Sequence, residues 1–453
     1  MILDNGEIPK TALFEFTEAK DMPFVAYEWL FSVVIYLIHS VVGYKGSIVV
    51  KALLGYIIFG LTFSLSFQIN RHAILSMFIG IITIMAANYR HFFRPEIFAY
   101  VFVLIHLNCI VRYRTTQNMK WLIGLVPLQI VWVNSHGSYL VGLGFLPIFA
   151  LGDIVDAFIG SRFRGRPFDF KDQLRKSMPY LFVFIAILAS SLLNPYGIKI
   201  FKHSWELSHS AYIKKSIYEW YPTFSKRFII KKAFKMYLAY LVIYATCLFI
   251  GFKHLRTPTV ILSILFLYLS LDAQRHIAIF VLVNSIMLAH LVKERLQDLN
   301  GKTLFASIFA VLLLTTTAFT YHKGNFAYTR AGLTFSAPFS KEAIEFIRQR
   351  DMKGNVLNSY GLGSQLIYHF YPDLKVAIDS RIDVFGAHYW ESYDRLFRDE
   401  PHLIRFLDKY NVRYIILSRY DFLRYFRDKY EVAKLGWRLI YHDNKVFIIS
   451  NQA

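Results

Sequence analysis

Six short polar stretches interrupt an otherwise apolar chain, and each mixes groups able to bind anions or move protons. They are Tyr27-Glu28-Trp29, His91-Phe92-Phe93-Arg94-Pro95-Glu96, Asn134-Ser135-His136-Gly137, Asn194-Pro195-Tyr196-Gly197, Glu219-Trp220-Tyr221-Pro222 and Asp272-Ala273-Gln274-Arg275-His276. Arginine presents a planar fork of donors that matches phosphate oxygens. A carboxylate within reach can take a proton from an attacking hydroxyl. Together Arg94, Arg275, His136 and His276 suggest an electropositive pocket for phosphate, with Glu28 as a loop carboxylate.

Each stretch also has a plain structural reading. Asn-Pro-Tyr-Gly is a good turn, because Pro fixes φ and Gly admits positive φ. Arg94 and Glu96 suit a local ion pair at a helix start, where a carboxylate also faces the positive helix end. His136 before Gly137 suits a cap between two helices. Gln274-Arg275-His276 suits interfacial anchoring. What favours a shared site is the recurrence of such groups at one level of the chain's topology, since ionisable groups at membrane depth are expensive and usually face a partner or water.

The elements that must carry these residues are membrane spans. The chain of 453 residues is 55% hydrophobic and 17% aromatic, with mean hydropathy +0.37. Apolar runs recur at 47–68, 73–88, 97–112, 121–135, 138–159, 178–193, 236–252, 258–271, 277–292 and 303–321, some of them shorter than the ~20 residues of an average span. These ten runs predict a polytopic α-helical membrane protein. The net charge of +20 does not point to nucleic acid: its Lys and Arg lie mostly in loops between spans, as on the cytoplasmic side of membrane proteins. Cys109 and Cys247 fall inside predicted spans and imply neither a disulfide framework nor a zinc site.

Alternate loops must share a side. Loops 69–72, 113–120, 160–177, 253–257 and 293–302 carry most of the short-loop Lys and Arg and are expected inside. The polar stretches and both chain ends are then outside, including the long basic connection 194–235, which suits contact with anionic lipid headgroups. The tract 29–42 is short for a span and reads as a juxtamembrane helix on the outer face. The expected divisions are 1–46, a partial first outer loop with that helix, a transmembrane domain over 47–321, and 330–453.

From about residue 330 helices and strands alternate. KEAIEFIRQR and PHLIRFLDKY read as amphipathic helices, and GNVLNSY, KVAIDS, VRYIILS and KVFIIS as strands. This predicts a C-terminal extracytoplasmic α/β domain. Asp379, Arg381 and Asp383 follow a predicted strand, where such sheets place ligand groups, though a salt-bridged turn explains them equally well. Gly361-Leu362-Gly363 is too short for a dinucleotide fingerprint.

Read in order, GEIP, FEFTEA, YEWLF, RPEIFAY, NSHGSYLVG, NPYG, EWYP, QRHIAIF and GNVLNSYGLGSQLIYHFYPDLKVAIDSRIDVFG closely resemble a group of bacterial multispanning proteins related to GT-C glycosyltransferases. The resemblance covers nearly the whole chain. It implies a GT-C-like fold in the bacterial cytoplasmic (inner) membrane. It also implies inverting transfer of a sugar from a polyprenyl-phosphate donor at the outer face, with membrane lipid as surroundings. Carried onto this sequence, Glu28 is the loop carboxylate that acts as general base or binds a divalent cation. Arg94, Arg275 and His136 hold the lipid phosphate, with Glu96, Asn134, Tyr196, Glu219 and His276 lining the site. Relatives place a first transmembrane helix and an Asp-x-Asp-type motif ahead of the segment matching ILDNGEIPK. Met1 falls in that segment, so the chain is expected to begin within the first outer loop. A different class, a non-catalytic scaffold binding polyprenyl lipid or a surface-polymer assembly, uses the same features. A transporter predicts internal repeats, and none is visible.

Overall fold

A computed structural model describes residues 2–90, 93–164, 167–251, 255–296, 339–426 and 436–451. The chain divides into two compact units: Tyr27–Thr329, and a second that unites Met1–Ala26 with Arg330–Ala453.

The first unit is helical. Nine of the ten apolar runs fall on helices, and the tenth, 303–321, lies outside the described residues. Among the described residues, five helices are long and apolar enough to cross a membrane: Lys45–Asn70, Glu96–Thr116, Tyr139–Phe163, Lys232–Phe249 and Gln274–Leu291. Trp29–Gly43, Ala73–Ala87, Lys120–Val133 and Thr257–Asp272 are apolar but shorter. The 178–193 run falls on Phe170–Ser190, whose first turns carry Lys171, Asp172, Arg175 and Lys176.

Burial sorts the long helices. Gln274–Leu291 is 83% buried and Glu96–Thr116 is 72% buried, whereas the other three are 22–33% buried. The last three therefore show apolar side chains outward, which a membrane protein tolerates because lipid covers them. Inside, hydroxyls tie helices together: Tyr237 to Ser270 at 2.7 Å, and Tyr240 to the carbonyl of Val281 at 3.1 Å. The tract 29–42 is helical and continues into Lys45–Asn70 through a break at Gly43, whose φ of 63° favours glycine.

The second unit is a five-stranded mixed sheet of β1 (Gly354–Asn358), β2 (Leu374–Val376), β3 (Val412–Ser418), β4 (Arg438–His442) and β5 (Val446–Ser450), in the order β2-β1-β3-β5-β4. β1 runs parallel to β2 and β3, while β5 is antiparallel to β3 and β4. The pleat sends neighbouring residues to opposite faces. Leu357, Ile415 and Ile449 join a core with helices Ile382–Leu396 and Glu400–Lys409. Val356, Ile416 and Ile448 join a second core with helices Lys341–Gln349 and Gly363–Phe370. Gly363 is required where it stands: a Cβ there would lie 2.1 Å from the carbonyl oxygen of Ile378.

Residues 11–24 fold as a hairpin against this sheet. Thr11 pairs antiparallel with Pro23, Glu15 pairs parallel with Val376 on β2, and Ala12 and Ala19 are fully buried in the first core.

Candidate functional site

The structure places the polar stretches of the helical unit in two adjoining groups. The first is an ion-pair cluster built from three connections. Arg90, in the turn after helix Ala73–Ala87, is buried and donates to Glu219 at 2.7 Å and to Glu96. Glu96 opens helix Glu96–Thr116, where its charge also meets the positive helix end. Arg275 approaches Glu96 at 3.5 Å and lies 4.3 Å over the ring of Trp220. Trp220 also meets His276 edge-on at 6.0 Å. Arg94 reaches Glu219 at only 3.5 Å, and its side chain is 59% exposed. Nearby, Lys214 pairs with Asp272 at 3.6 Å.

Burial alone would push the Glu219 carboxyl up, but Arg90, Arg275 and Arg94 outweigh it and hold it below the usual carboxylate range. Arg90 is held charged, because Glu96 and Glu219 more than offset its own burial. Three guanidiniums facing two carboxylates leave one net positive charge. The exposed member is Arg94.

The second group is Glu28 with His136. Tyr27 packs beside Gly137, its ring 3.5 Å from where a Cβ would stand, which brings Glu28 Oε1 to 3.8 Å from His136 Nε2. That is ion-pair range but too long for a hydrogen bond. The backbone N–H of Ser138 donates to His136 Nδ1 at 3.1 Å, and the Ser138 hydroxyl stands 2.7 Å from the same nitrogen. Nδ1 is thereby an acceptor, so a neutral ring carries its proton on Nε2, toward Glu28. Burial, with Arg275 and Arg90 adding like charge, pushes the imidazole down to about 3. His136 is therefore neutral near pH 7. The ring then faces Glu28 without adding a cation to the pocket. The same arginines that act on His136 belong to the first group, which makes the two groups electrostatic neighbours.

Asn134 has a different job. Its Oδ1 accepts from Trp29 Nε1 at 2.7 Å and Asn194 Nδ2 at 3.2 Å, and its Nδ2 donates to the carbonyls of Ile130 and Leu193. Its own carbonyl takes the N–H of Leu30. Tyr196 follows in the turn, its N–H on Asn194 Oδ1 at 3.0 Å. Asn134 thus fastens the start of the Trp29 helix to two interhelical turns. Asn134→Ala, which leaves the half-buried Trp29 N–H without its acceptor, costs about 1 kcal/mol. A lowered unfolding temperature of the purified protein checks this, and unchanged unfolding would contradict the fastening role.

In the α/β unit, Arg381 binds Asp379 through Nε (2.9 Å) and Nη2 (2.5 Å), reaches Glu15 at 2.5 Å, and lies over the rings of Phe14 and Phe24. The salt-bridged turn accounts for Asp379 and Arg381 and has a partner the sequence did not suggest: Glu15, 366 residues away in the chain. Asp383 falls in the first turn of helix Ile382–Leu396, and its side chain lies outside the described residues, as do His91 and Phe92.

Two buried carboxylates share the one guanidinium here. Burial raises the Glu15 carboxyl to about 7, Arg381 opposing and Asp379 adding to the rise. Between the ordinary value of 4.5 and about 7 the folded state binds the extra proton, so stability falls as pH rises through that window. Glu15→Gln removes that dependence. Its unfolding temperature changes less between pH 5 and pH 8 than that of the wild type, and an unaltered pH response would show that Glu15 is not the titrating group.

Arg90 is the site residue that sequence reading missed. An arginine in a short loop reads as an ordinary interfacial charge, and only its burial between Glu96 and Glu219 reveals it. Among the described residues no three His, Cys, Asp or Glu side chains converge as a metal site. Glu96 and Glu219 both face guanidiniums.

No family model matches the sequence, and no curated protein matches it significantly. Solved structures do share the fold. The archaeal oligosaccharyltransferase AglB from Archaeoglobus fulgidus, in complex with an inhibitory peptide and a dolichol-phosphate, superposes with a TM-score of 0.56 at 11% identity, over 89% of this chain and 62% of that one. The apo form of the Archaeoglobus fulgidus enzyme gives 0.56 at 12%, over 89% and 63%. The form tethered to an acceptor peptide containing the NVT sequon gives 0.54 at 12%, over 97% and 67%. The chain spans about three fifths of the length of the first two. At such identity the likeness is one of fold alone: the chain shares the architecture of these oligosaccharyltransferase structures.

Proposed function

We propose that the chain is a GT-C-type glycosyltransferase that moves a sugar from a polyprenyl-phosphate-linked donor to an acceptor at the outer face of a bacterial inner membrane. The observation that carries this reading is the meeting of the Glu28–His136 pair with the Arg90, Arg94 and Arg275 cluster. The AglB complex with a dolichol-phosphate supports a lipid-linked donor on this scaffold. In the proposed topology the polar stretches and the α/β unit lie outside.

The transfer is a single displacement. An acceptor hydroxyl oxygen attacks the anomeric carbon, the bond from that carbon to the phosphate oxygen breaks, and the phosphate leaves with the electron pair. The acceptor's proton passes to Glu28. His136 cannot take it, because Nδ1 is engaged by Ser138 and Nε2 already bears hydrogen. Arg94 and Arg275 offset the charge growing on the leaving phosphate. Arg90 holds the carboxylates that aim them.

Turnover decides the matter. Purified protein supplied with polyprenyl-phosphate sugars releases polyprenyl phosphate if the reading is right. Binding of polyprenyl phosphate without release, for every donor and acceptor tried, would instead favour a non-catalytic lipid-binding scaffold.

A further inference from the structure

The α/β unit holds a cavity of about 190 Å3 between helices Ile382–Leu396 and Glu400–Lys409, with Glu18 of the N-terminal hairpin at its edge. One helix gives Tyr389, Ser392 and Tyr393, spaced i, i+3, i+4. The other gives His402, Arg405, Phe406 and Lys409, again a single helix face. Here the facing surfaces carry aromatic rings and polar groups.

These groups divide by what they can offer. The Tyr389 hydroxyl donates to the carbonyl of Ala377 at 2.5 Å, and that of Tyr393 to Asn358 at 2.7 Å. With their hydroxyls so engaged, these buried tyrosines offer ring surface. Phe406 and Tyr410 add two more rings, 4.9 Å apart. His402 Nε2 and Ser392 Oγ stand 3.3 Å apart as a polar wall. At the rim, Lys409 is 3.8 Å from Glu18 and 4.7 Å over the Tyr410 ring. Arg405 is exposed and pairs with no carboxylate among the described residues. The rim is therefore one charge positive.

We propose that this cavity binds a single carboxylate-bearing sugar ring, a hexuronic acid, with its carboxylate on Arg405 and its C–H face on the tyrosines. At about 190 Å3 the cavity is smaller than the ~300 Å3 of common small-molecule pockets, which suits a ligand of one ring. A free phosphate would gain nothing from four aromatic rings, and an extended peptide needs a longer groove. Aromatic faces carry negative charge density that favours the weakly positive C–H edge of a sugar, and Arg405 supplies a bidentate fork for the carboxylate. The site is independent of whether the helical unit transfers a sugar.

Saturation-transfer NMR on the full-length protein in detergent, with glucuronate and with glucose as the neutral counterpart, tests this without any donor. Glucuronate ring protons saturate and glucose protons do so far less. Arg405→Ala weakens glucuronate binding about tenfold, the loss of one charge-assisted contact, and Ser392→Phe, which fills the cavity, abolishes it. Unfolding temperatures equal to wild type show that each variant is folded. Equal saturation by the two sugars would overturn the carboxylate assignment. Unchanged binding in both variants, or no binding at all, would overturn the cavity as the site.

Discussion

Glu28→Gln lowers the release of polyprenyl phosphate by about a hundred- to ten-thousandfold, the usual contribution of a positioned general base, and leaves donor affinity unchanged. The substitution keeps the shape of the side chain and removes only the capacity to take a proton. Glu28 faces His136, while Arg90, Arg94 and Arg275 face Glu96 and Glu219, so the arginines assigned to the phosphate keep their carboxylate partners. Arg94→Ala has the converse signature. Its exposed guanidinium contributes little to stability, since surface pairs are worth about 0–1 kcal/mol, but donor affinity drops roughly tenfold or more. Single-turnover rates beside equilibrium donor binding separate the two effects. Equal loss of rate and affinity in Glu28→Gln would remove it from the chemical step.

Arg90→Met destabilises the helical unit by about 3–5 kcal/mol, the cost of stranding buried carboxylates. Arg90 is four residues from Arg94, yet its side chain is 4% exposed against 59%. It donates to both Glu96 and Glu219. Lysine does not replace it, because a single ammonium lacks the fork that spans two carboxylates. Arg90→Met combined with Glu96→Gln and Glu219→Gln recovers much of the stability, since no charge is left stranded. Thermal unfolding of the three proteins reads this, and a single variant as stable as wild type would show that the cluster is not held together by Arg90. The cluster also responds to acid. Glu219, held below its ordinary value of 4.5, contributes stability that is present above that value and lost as pH falls through its lower folded value. The dependence is opposite in sign to that of Glu15.

The helices of the membrane unit were legible because apolar runs need no partner to be recognised, and nine of them fall on helices. In the α/β unit the two amphipathic helices and β1, β3 and β5 stand where residue patterns put them. β4 and helices Gly363–Phe370 and Ile382–Leu396 did not show. RLIYH mixes exposed and half-buried positions at a sheet edge, and IDVFGAHYWESYDRL is broken at Gly386, whose φ is 60°. Convergence of the polar stretches could be guessed from topology, but the charge state of His136 and the role of Arg90 could not. Both depend on burial and on partners 46 or more residues away in sequence, Arg90 on Glu219 and His136 on Glu28, Arg90 and Arg275.

The union of residues 11–24 with β2 has a consequence for how the protein is made. Glu15 meets Val376 and Arg381 only after more than 350 further residues have been synthesised, which at 5–20 residues per second takes roughly 20–70 s. Through that interval Ala12, Phe16 and Ala19, which end up buried or packed in the sheet's core, have no surface to cover them. Segment 11–24 therefore waits for its partner strand, and until then the nascent chain carries an uncovered apolar stretch that a chaperone must shelter or a protease can find.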